Sequence, residues 1–438
     1  MAFSSMHPSN PDYGSRTPQS AFNEFGRPRA WRVIHACEYV RDVLPVVEGQ
    51  VAAGMRPYIV TPQGEGTAEL YLSGRGQEQP RPLSLLRSWQ DVRNWRKSLL
   101  DCSPETTADI VHAHSFSAGM AAVRNIGGVV YDLHECIEEL AICASQCEAG
   151  SWMARSFRVA EQFILSRAAA VIVHSLGMQE AAQERGALPE SIFVIPEPFS
   201  VEENFPPTDS APPGFLQQRF GLSPGAVTFL VPEFAMPAAV ELQAGQIMLL
   251  ESMALSSPEN PQFCLLLQGV ETEDLRNSVT QCASRLGICE KVLFVAPQDS
   301  PAAWQHADVI IAAGDDPTSH PVVARRPNDL CLRALSHGKT LLAADIPRNR
   351  EITPDGRGCL WFEHDNPRDL AFRLAFLGRN PVFRLALAAS GRAHLLETRS
   401  STVIGEKYRE AYQYAFSRKK LTGPGTGITS LQPAANWS

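Results

Sequence analysis

The feature that most constrains this chain is a doubled series of short apolar runs separated by helix-like segments. The first series is Trp31–Ala36, Tyr58–Thr61, Ile110–Ala113, Val129–Leu133, Ala170–His174 and Ile192–Ile195. The second is Val227–Val231, Phe263–Leu267, Val292–Ala296, Val309–Ala312, Thr340–Ala343 and Cys359–Phe362. Near-continuous apolar strands alternating with helices predict a parallel sheet covered on both faces. Two such series predict two doubly wound α/β domains, and a chain of 438 residues is long enough for both. Such folds take ligands in the crevice at the carboxyl ends of their strands.

Between the series lies a proline-rich stretch with Pro196, Pro198, Pro206, Pro207, Pro212 and Pro213. Proline cannot continue a helix or sit in a central strand, so residues 197–224 are expected to be a linker. The resulting division is residues 1–29 as a disordered start, 30–196 as the first domain, 225–400 as the second, 401–420 as a final helix and 421–438 as a disordered tail. The final helix is centred on Val403–Phe416, and a clear helical period also covers Ser151–Arg167.

Composition excludes several classes. Hydrophobic residues make up 44% and charged residues 20%, as in soluble globular proteins. No apolar run approaches the roughly 18 residues a spanning helix requires. The polar start lacks a basic segment followed by an apolar core, so no signal peptide is expected and the chain reads as cytoplasmic, with at most peripheral membrane association. A net charge of −8 without a basic stripe argues against nucleic acid as a partner. The ten cysteines include no C-x-x-C pair, and the tightest group is Cys136, Cys143 and Cys147. They are expected to be reduced and mostly buried, holding neither disulfide nor metal. No phosphate-binding G-x-x-x-x-G-K-[ST] occurs, and Gly64-Glu65-Gly66 after the second strand lacks the third glycine of a dinucleotide loop.

Ordered motifs run through both halves. Asp109-Ile-Val-His-Ala-His114 is followed by Ser115-Phe116-Ser117-Ala118-Gly119, then Val129-Val-Tyr-Asp-Leu-His-Glu135, Ala170-Val-Ile-Val-His-Ser175, Arg185-Gly186 and Ile192-Phe-Val-Ile-Pro196. The second half adds Leu265-Leu-Leu-Gln-Gly269, Lys291-Val-Leu-Phe294, Ala307-Asp-Val309, Arg333-Ala-Leu-Ser-His-Gly-Lys339, Asp345-Ile-Pro347 and Asn349-Arg-Glu-Ile352. Together they resemble the retaining family-four glycosyltransferases, over roughly Trp31 to Phe416. The resemblance implies a GT-B architecture, two Rossmann-like doubly wound parallel-sheet domains facing across a cleft. It implies a nucleotide-sugar held by the second domain and an acceptor, a glycan or a lipid-linked glycan, held by the first. No cofactor and no metal are implied. The final helix is expected to cross back onto the first domain.

The resemblance also marks departures. The family's Gly-rich loop after the first strand corresponds to Ala36-Cys37-Glu38-Tyr39, with no glycine before Gly49. Its diphosphate-binding Arg and Lys correspond to Glu233 and Ala238, and its two glutamates to Arg325 and Arg333. A carboxylate in place of a guanidinium reverses an interaction of about 4 kcal/mol at roughly 4 Å. An arginine cannot accept the two hydrogen bonds a ribose diol donates. The family-typical sugar-nucleotide site is therefore expected to be rewritten.

Within this frame His114 matches the family's histidine near sugar and acceptor. A strand-end histidine satisfied by a backbone carbonyl is the other reading. Glu38, His134 and Glu135 are candidates for the acceptor side of the cleft, with His134-Glu135 a possible acid/base pair. His112 reads as structural. Arg325, Arg326 and Arg333, near Lys339, form either a solvated positive face or a relocated phosphate site. Three functions fit: a glycosyltransferase, a catalytically inactive homologue that partners an active glycosyltransferase in polysaccharide assembly, and another enzyme on the scaffold such as a nucleotide-sugar epimerase, for which no distinct acid/base set is visible.

Overall fold

The structure, a computed structural model, describes residues 31–37, 43–61, 64–67, 92–95, 99, 108–197, 212–232, 234, 242–260, 262–313 and 329–421. It contains two sheets. The first has the order β3-β2-β1-β4-β5-β6-β7. Its strands are β1 (Arg32–Ala36), β2 (Arg56–Thr61), β3 (Gly64–Thr67), β4 (Ile110–Ala113), β5 (Val129–Leu133), β6 (Ala170–Val173) and β7 (Ile192–Val194). The second has the order β10-β9-β8-β11-β12-β13, formed by β8 (Val227–Val231), β9 (Phe263–Leu267), β10 (Val292–Phe294), β11 (Val309–Ala312), β12 (Thr340–Ala344) and β13 (Cys359–Phe362). All neighbours pair in parallel except β3, which runs antiparallel to β2 with Thr61 opposite Gly64. The Gly64-Glu65-Gly66 stretch is thus an edge strand.

In both sheets the chain runs outward from a central strand and then returns to that strand's other side. This places the topological switch points between β1 and β4 and between β8 and β11. The strand apolar runs are buried on both faces. On one face of the first sheet Ile34, Ala36, Val111, Ala113, Tyr131, Leu133 and Val171 join helix residues such as Phe157 and Ile164. On the other, Val33, Ile110, Val130, Ala170 and Ile172 pack against Ile404, Tyr408, Ala411 and Tyr412 of the last helix, Ser401–Leu421. Every second strand residue shares a face, so the sequence period alone sorts these two sets.

Side chains set the helix starts. Ser115, Ser151 and Ser175 each accept a hydrogen bond from a first-turn backbone N–H of the helices Phe116–Asn125, Trp152–Arg167 and Leu176–Glu184. The last helix lies along the first-domain helix Leu44–Ala52. Glycine is required there: a Cβ on Gly49 would overlap the Ser401 carbonyl, and one on Gly405 the Gly49 carbonyl.

The expected linker is shorter than its prolines suggest. Helix Phe215–Phe220 falls inside it, between Gly214 and Gly221 in left-handed conformations. Its Leu216 is 1% exposed in the second-domain core, with Trp304 and Ile310. The second folded unit therefore begins by residue 212 rather than 225, because the prolines end before this one apolar turn starts. One contact between the halves comes from Glu351, whose Oε1 accepts the Leu176 N–H at 2.6 Å. Burial raises the Glu351 carboxyl, against the pull of this bond and of Arg399.

Candidate functional site at the carboxyl edge of the first sheet

On the sheet face that the last helix covers, each central strand ends in polar residues. His35 on β1 stands in register with His112 on β4. His112 is opposite Val130, and Asp132 is opposite Ile172. Two residues further along the same face come His114, His134 and His174. The lower half of this face is thus apolar, and the upper half carries five imidazoles and one carboxylate at the β1–β4 switch point and its neighbours.

Asp132 is the centre of the group and is 1% exposed. Its Oδ2 lies 3.3 Å from His112 Nε2 and 3.3 Å from His114 Nδ1. Its Oδ1 lies 2.8 Å from His174 Nε2 and 3.7 Å from His134 Nε2. Despite this proximity, both oxygens and the His112, His114 and His174 nitrogens lack aligned hydrogen bonds. The outer nitrogens are tied. His174 Nδ1 donates to the Ile195 carbonyl at 2.8 Å. His112 Nδ1 meets the Tyr412 hydroxyl at 2.9 Å, Tyr412 accepts from Gln50 Nε2 at 2.7 Å, Gln50 Oε1 meets His35 Nε2 at 2.8 Å, and His35 Nδ1 meets His114 Nε2 at 2.9 Å.

Electrostatics follow burial and this one carboxylate. Burial, with the neighbouring His114, pushes His35 down to about 3. Burial likewise lowers His112 to about 4, and burial with His112 lowers His114 to about 3. Burial alone would raise Asp132, but the facing His134 and His174 hold its carboxyl well below the usual range. Burial would lower His174, and the Asp132 carboxylate outweighs it and lifts the imidazole to about 9. At neutral pH the His174 imidazolium therefore pairs with the Asp132 carboxylate, beside the neutral imidazoles of His35, His112 and His114.

Of the sequence candidates, the structure brings together His114 and His134, whose rings stack with centroids 5.8 Å apart. His114 is 4% exposed at its side chain and His134 is 29% exposed, so His134 is the member that meets the rim. The His114 nitrogens face His35 and Asp132 rather than a backbone carbonyl. Glu135 is half-buried next to it in sequence. Glu38, Glu233, Ala238, Arg325 and Arg326 lie outside the described residues. Arg333 is in helix Asp329–Ser336, its guanidinium 4.7 Å above the Trp304 ring. Lys339 donates to the carbonyls of Gln305, at 2.5 Å, and Ala307, around the end of helix Ser300–His306.

Sequence reasoning passed over His35, Asp132 and His174 as site residues, and also Gln50 and Tyr412. The signal for the first three was available: polar residues on one face at the ends of four strands that the apolar period already aligned. Gln50 and Tyr412 gave no such signal, because a polar residue on an amphipathic helix reads as solvent-facing. Three triads could hold a cation: His35 with His112 and His114, His114 with Asp132 and His134, and His134 with His174 and Glu197. Among nine free cysteines described, six are buried and none joins these groups.

Comparison with known proteins gives the fold and a family match over residues 38–198. A glycosyltransferase from Rickettsia africae superposes with a TM-score of 0.58 at 14% identity, over 88% of this chain and 99% of that one. The Anabaena protein HepE in complex with UDP superposes with 0.56 at 15% identity, over 88% and 100%. A putative UDP-N-acetylglucosamine 2-epimerase from Listeria monocytogenes gives 0.53 at 11% identity, over 89% and 98%. No curated protein matches the sequence. No described helix is long and apolar enough to cross a membrane. The chain has the two-domain GT-B fold of these structures, and its residues 38–198 match the family described as the glycosyl transferase 4-like domain.

Proposed function

We propose that this chain is a glycosyltransferase-like protein that transfers a sugar from a nucleotide-sugar to a glycan or lipid-linked acceptor, with the carboxyl edge of the first sheet on the acceptor side. The observation that carries this reading is the position of the histidine–aspartate cluster. It stands at the β1–β4 switch point, where doubly wound sheets take ligands, within the segment that matches the glycosyl transferase 4-like domain. His134 would face the acceptor, and His114 behind it would orient that ring. Nucleotide-sugar is a substrate here, and no further cofactor is part of the reading. HepE, a neighbour in fold, binds UDP, which supports a uridine nucleotide as the first donor to try.

A second reading is a catalytically inactive homologue that partners an active glycosyltransferase. It is favoured by the second domain. The resemblance aligns Arg333 with the family's ribose-binding carboxylate; its guanidinium lies over Trp304, and Lys339 is engaged by backbone carbonyls. The epimerase neighbour keeps the fold from deciding between transfer and other sugar-nucleotide chemistry. Incubation with UDP-, GDP- and ADP-sugars, scored for nucleotide release with and without oligosaccharide acceptors, separates the readings. Acceptor-dependent release lost in His134→Ala supports transfer. Folded protein that binds none of the donors supports the partner role.

A further inference from the structure

The cluster around Asp132 has a proton shortage that does not depend on how its groups are oriented. His112, Tyr412, Gln50, His35 and His114 form a chain of four hydrogen bonds whose two ends both face Asp132 Oδ2 at 3.3 Å. With neutral imidazoles, each of the five groups contributes one proton to this chain, and four are used in its bonds. Only one end nitrogen can then carry a proton toward the carboxylate. If Gln50 donates to Tyr412, the protons run so that His114 Nδ1 is bare. If the Gln50 amide is turned, His112 Nε2 is bare instead. The bond from Gln50 Nε2 to Tyr412 is the first arrangement, in which the bare His114 Nδ1 faces the buried Asp132 Oδ2 and repels it unless a cation stands between them.

Geometry favours a metal ion. Ligand atoms at 2.0–2.1 Å from a tetrahedral ion stand about 3.3 Å apart. His114 Nδ1 lies 3.3 Å from Asp132 Oδ2 and His134 Nε2 lies 3.7 Å from Asp132 Oδ1, without aligned hydrogen bonds from the buried atoms, and the ligand atoms of the three residues all lie within 4.8 Å of one another. His114 also has its other nitrogen held by His35, the outer support that ligating imidazoles need. We propose that His114 Nδ1, an Asp132 oxygen and His134 Nε2 bind one divalent transition-metal ion of the zinc class. Imidazole and carboxylate without thiolate suit zinc, cobalt, nickel, manganese or iron(II), and not copper(I). Glu197 groups with His134 and His174 on the exposed side, the side from which its carboxylate or a water would complete the coordination. The inference rests on the cluster alone and stands whether or not the chain transfers sugar.

The test uses the full chain, with thiols alkylated first because Cys143 and Cys289 are exposed. The protein is stripped with chelator, dialysed against Zn(II) or Co(II), and measured for bound metal, Co(II) visible absorption and thermal unfolding. The expected result is one ion per chain, a Co(II) ligand-field band without a thiolate charge-transfer band, and a higher Tm with metal. His134→Asn, at a partly exposed position that should tolerate the change, weakens Co(II) binding by more than roughly tenfold. His364→Asn, next to Asp365 in the second domain, leaves it unchanged. Glu197→Gln weakens it if the fourth ligand is the carboxylate, and keeps the band with altered intensity if it is water. Folded wild type that retains no ion and shows no Tm shift overturns the proposal. So does a Co(II) band that survives His134→Asn at full affinity.

Discussion

Gln50 and Tyr412, 362 residues apart, share a 2.7 Å hydrogen bond that ties the last helix to the first domain. The same bond is a link in the chain that reaches both sides of Asp132, so the C-terminal helix is part of the site's support. Arg409 adds to the docking by donating to the Ala53 carbonyl beyond the end of helix Leu44–Ala52. The two helices approach at Gly49 and Gly405, where backbone meets backbone.

That approach predicts a steep cost for one methyl group. Gly405→Ala would drive its Cβ into the Gly49 carbonyl, which cannot rotate away as a side chain could. Overpacking of this kind costs roughly 1–3 kcal/mol or more. Gly127→Ala meets nothing within 4 Å and should be near neutral. Urea unfolding of both variants checks this. Equal midpoints would mean that the last helix is not packed where it is described.

Tyr412→Phe removes a hydroxyl that is both acceptor from Gln50 and partner of His112 Nδ1, in a fully buried setting. It leaves two polar groups unsatisfied, at roughly 1–3 kcal/mol each, with incomplete additivity. The expected loss is well above that of a surface Tyr→Phe change. A midpoint within experimental error of wild type would show the chain to be broken or water-bridged in solution.

How much of this was legible beforehand differs by level. The apolar strand period gave the sheets and their parallel sense because burial on both faces writes itself into consecutive residues. Helix Phe215–Phe220 was hidden because a short turn anchored mainly by Leu216 carries too few residues for a period to show. Strand β3 was hidden because glycines at a sheet edge read as a loop. At the site, His114 and His134 were visible through motif and strand end. The carboxylate between them was not singled out, since Asp132 sits inside an otherwise apolar strand and its burial becomes intelligible only when four strands are in register.

Acid should weaken the second domain through His337. Burial, with the nearby cations Lys339, Arg333 and Arg392, pushes this imidazole from 6.5 down to about 3. Its ring stacks on Trp304 at 5.1 Å, beneath the same ring that Arg333 covers. Between those pH values the unfolded chain takes a proton that the folded chain refuses, so stability is lost as pH falls below 6.5. His337→Gln stays neutral throughout. The stability of the variant relative to wild type should therefore improve from pH 7 to pH 5, since every other titrating group is shared. A difference that is constant across this range would contradict the placement of His337 among those cations.

The sugar-nucleotide site gives the sharpest expectation. On the partner reading, common UDP-, GDP- and ADP-sugars bind weakly or not at all to the isolated protein. The family resemblance aligns Glu233 with a phosphate-binding arginine, Ala238 with a lysine and Arg333 with the ribose acceptor. Each lost charge-assisted hydrogen bond is worth roughly 1.5–3 kcal/mol, against about 8 kcal/mol for a whole micromolar ligand. Several such losses leave little affinity even if they add imperfectly. The Arg333 guanidinium over the Trp304 ring is consistent with this, because a cation held on an aromatic face is not free to meet a diol. The competing outcome is a relocated phosphate site in which Arg325, Arg326 and Arg333 grip the diphosphate from the other side. Calorimetric titration of wild type and of the double variant Glu233→Arg with Arg333→Glu distinguishes them. Absent binding in wild type, with partial gain in the double variant, supports a rewritten site that no longer holds the donor in the family's way. Micromolar, salt-sensitive binding in wild type that the double variant loses supports the relocated site and ends the degenerate reading.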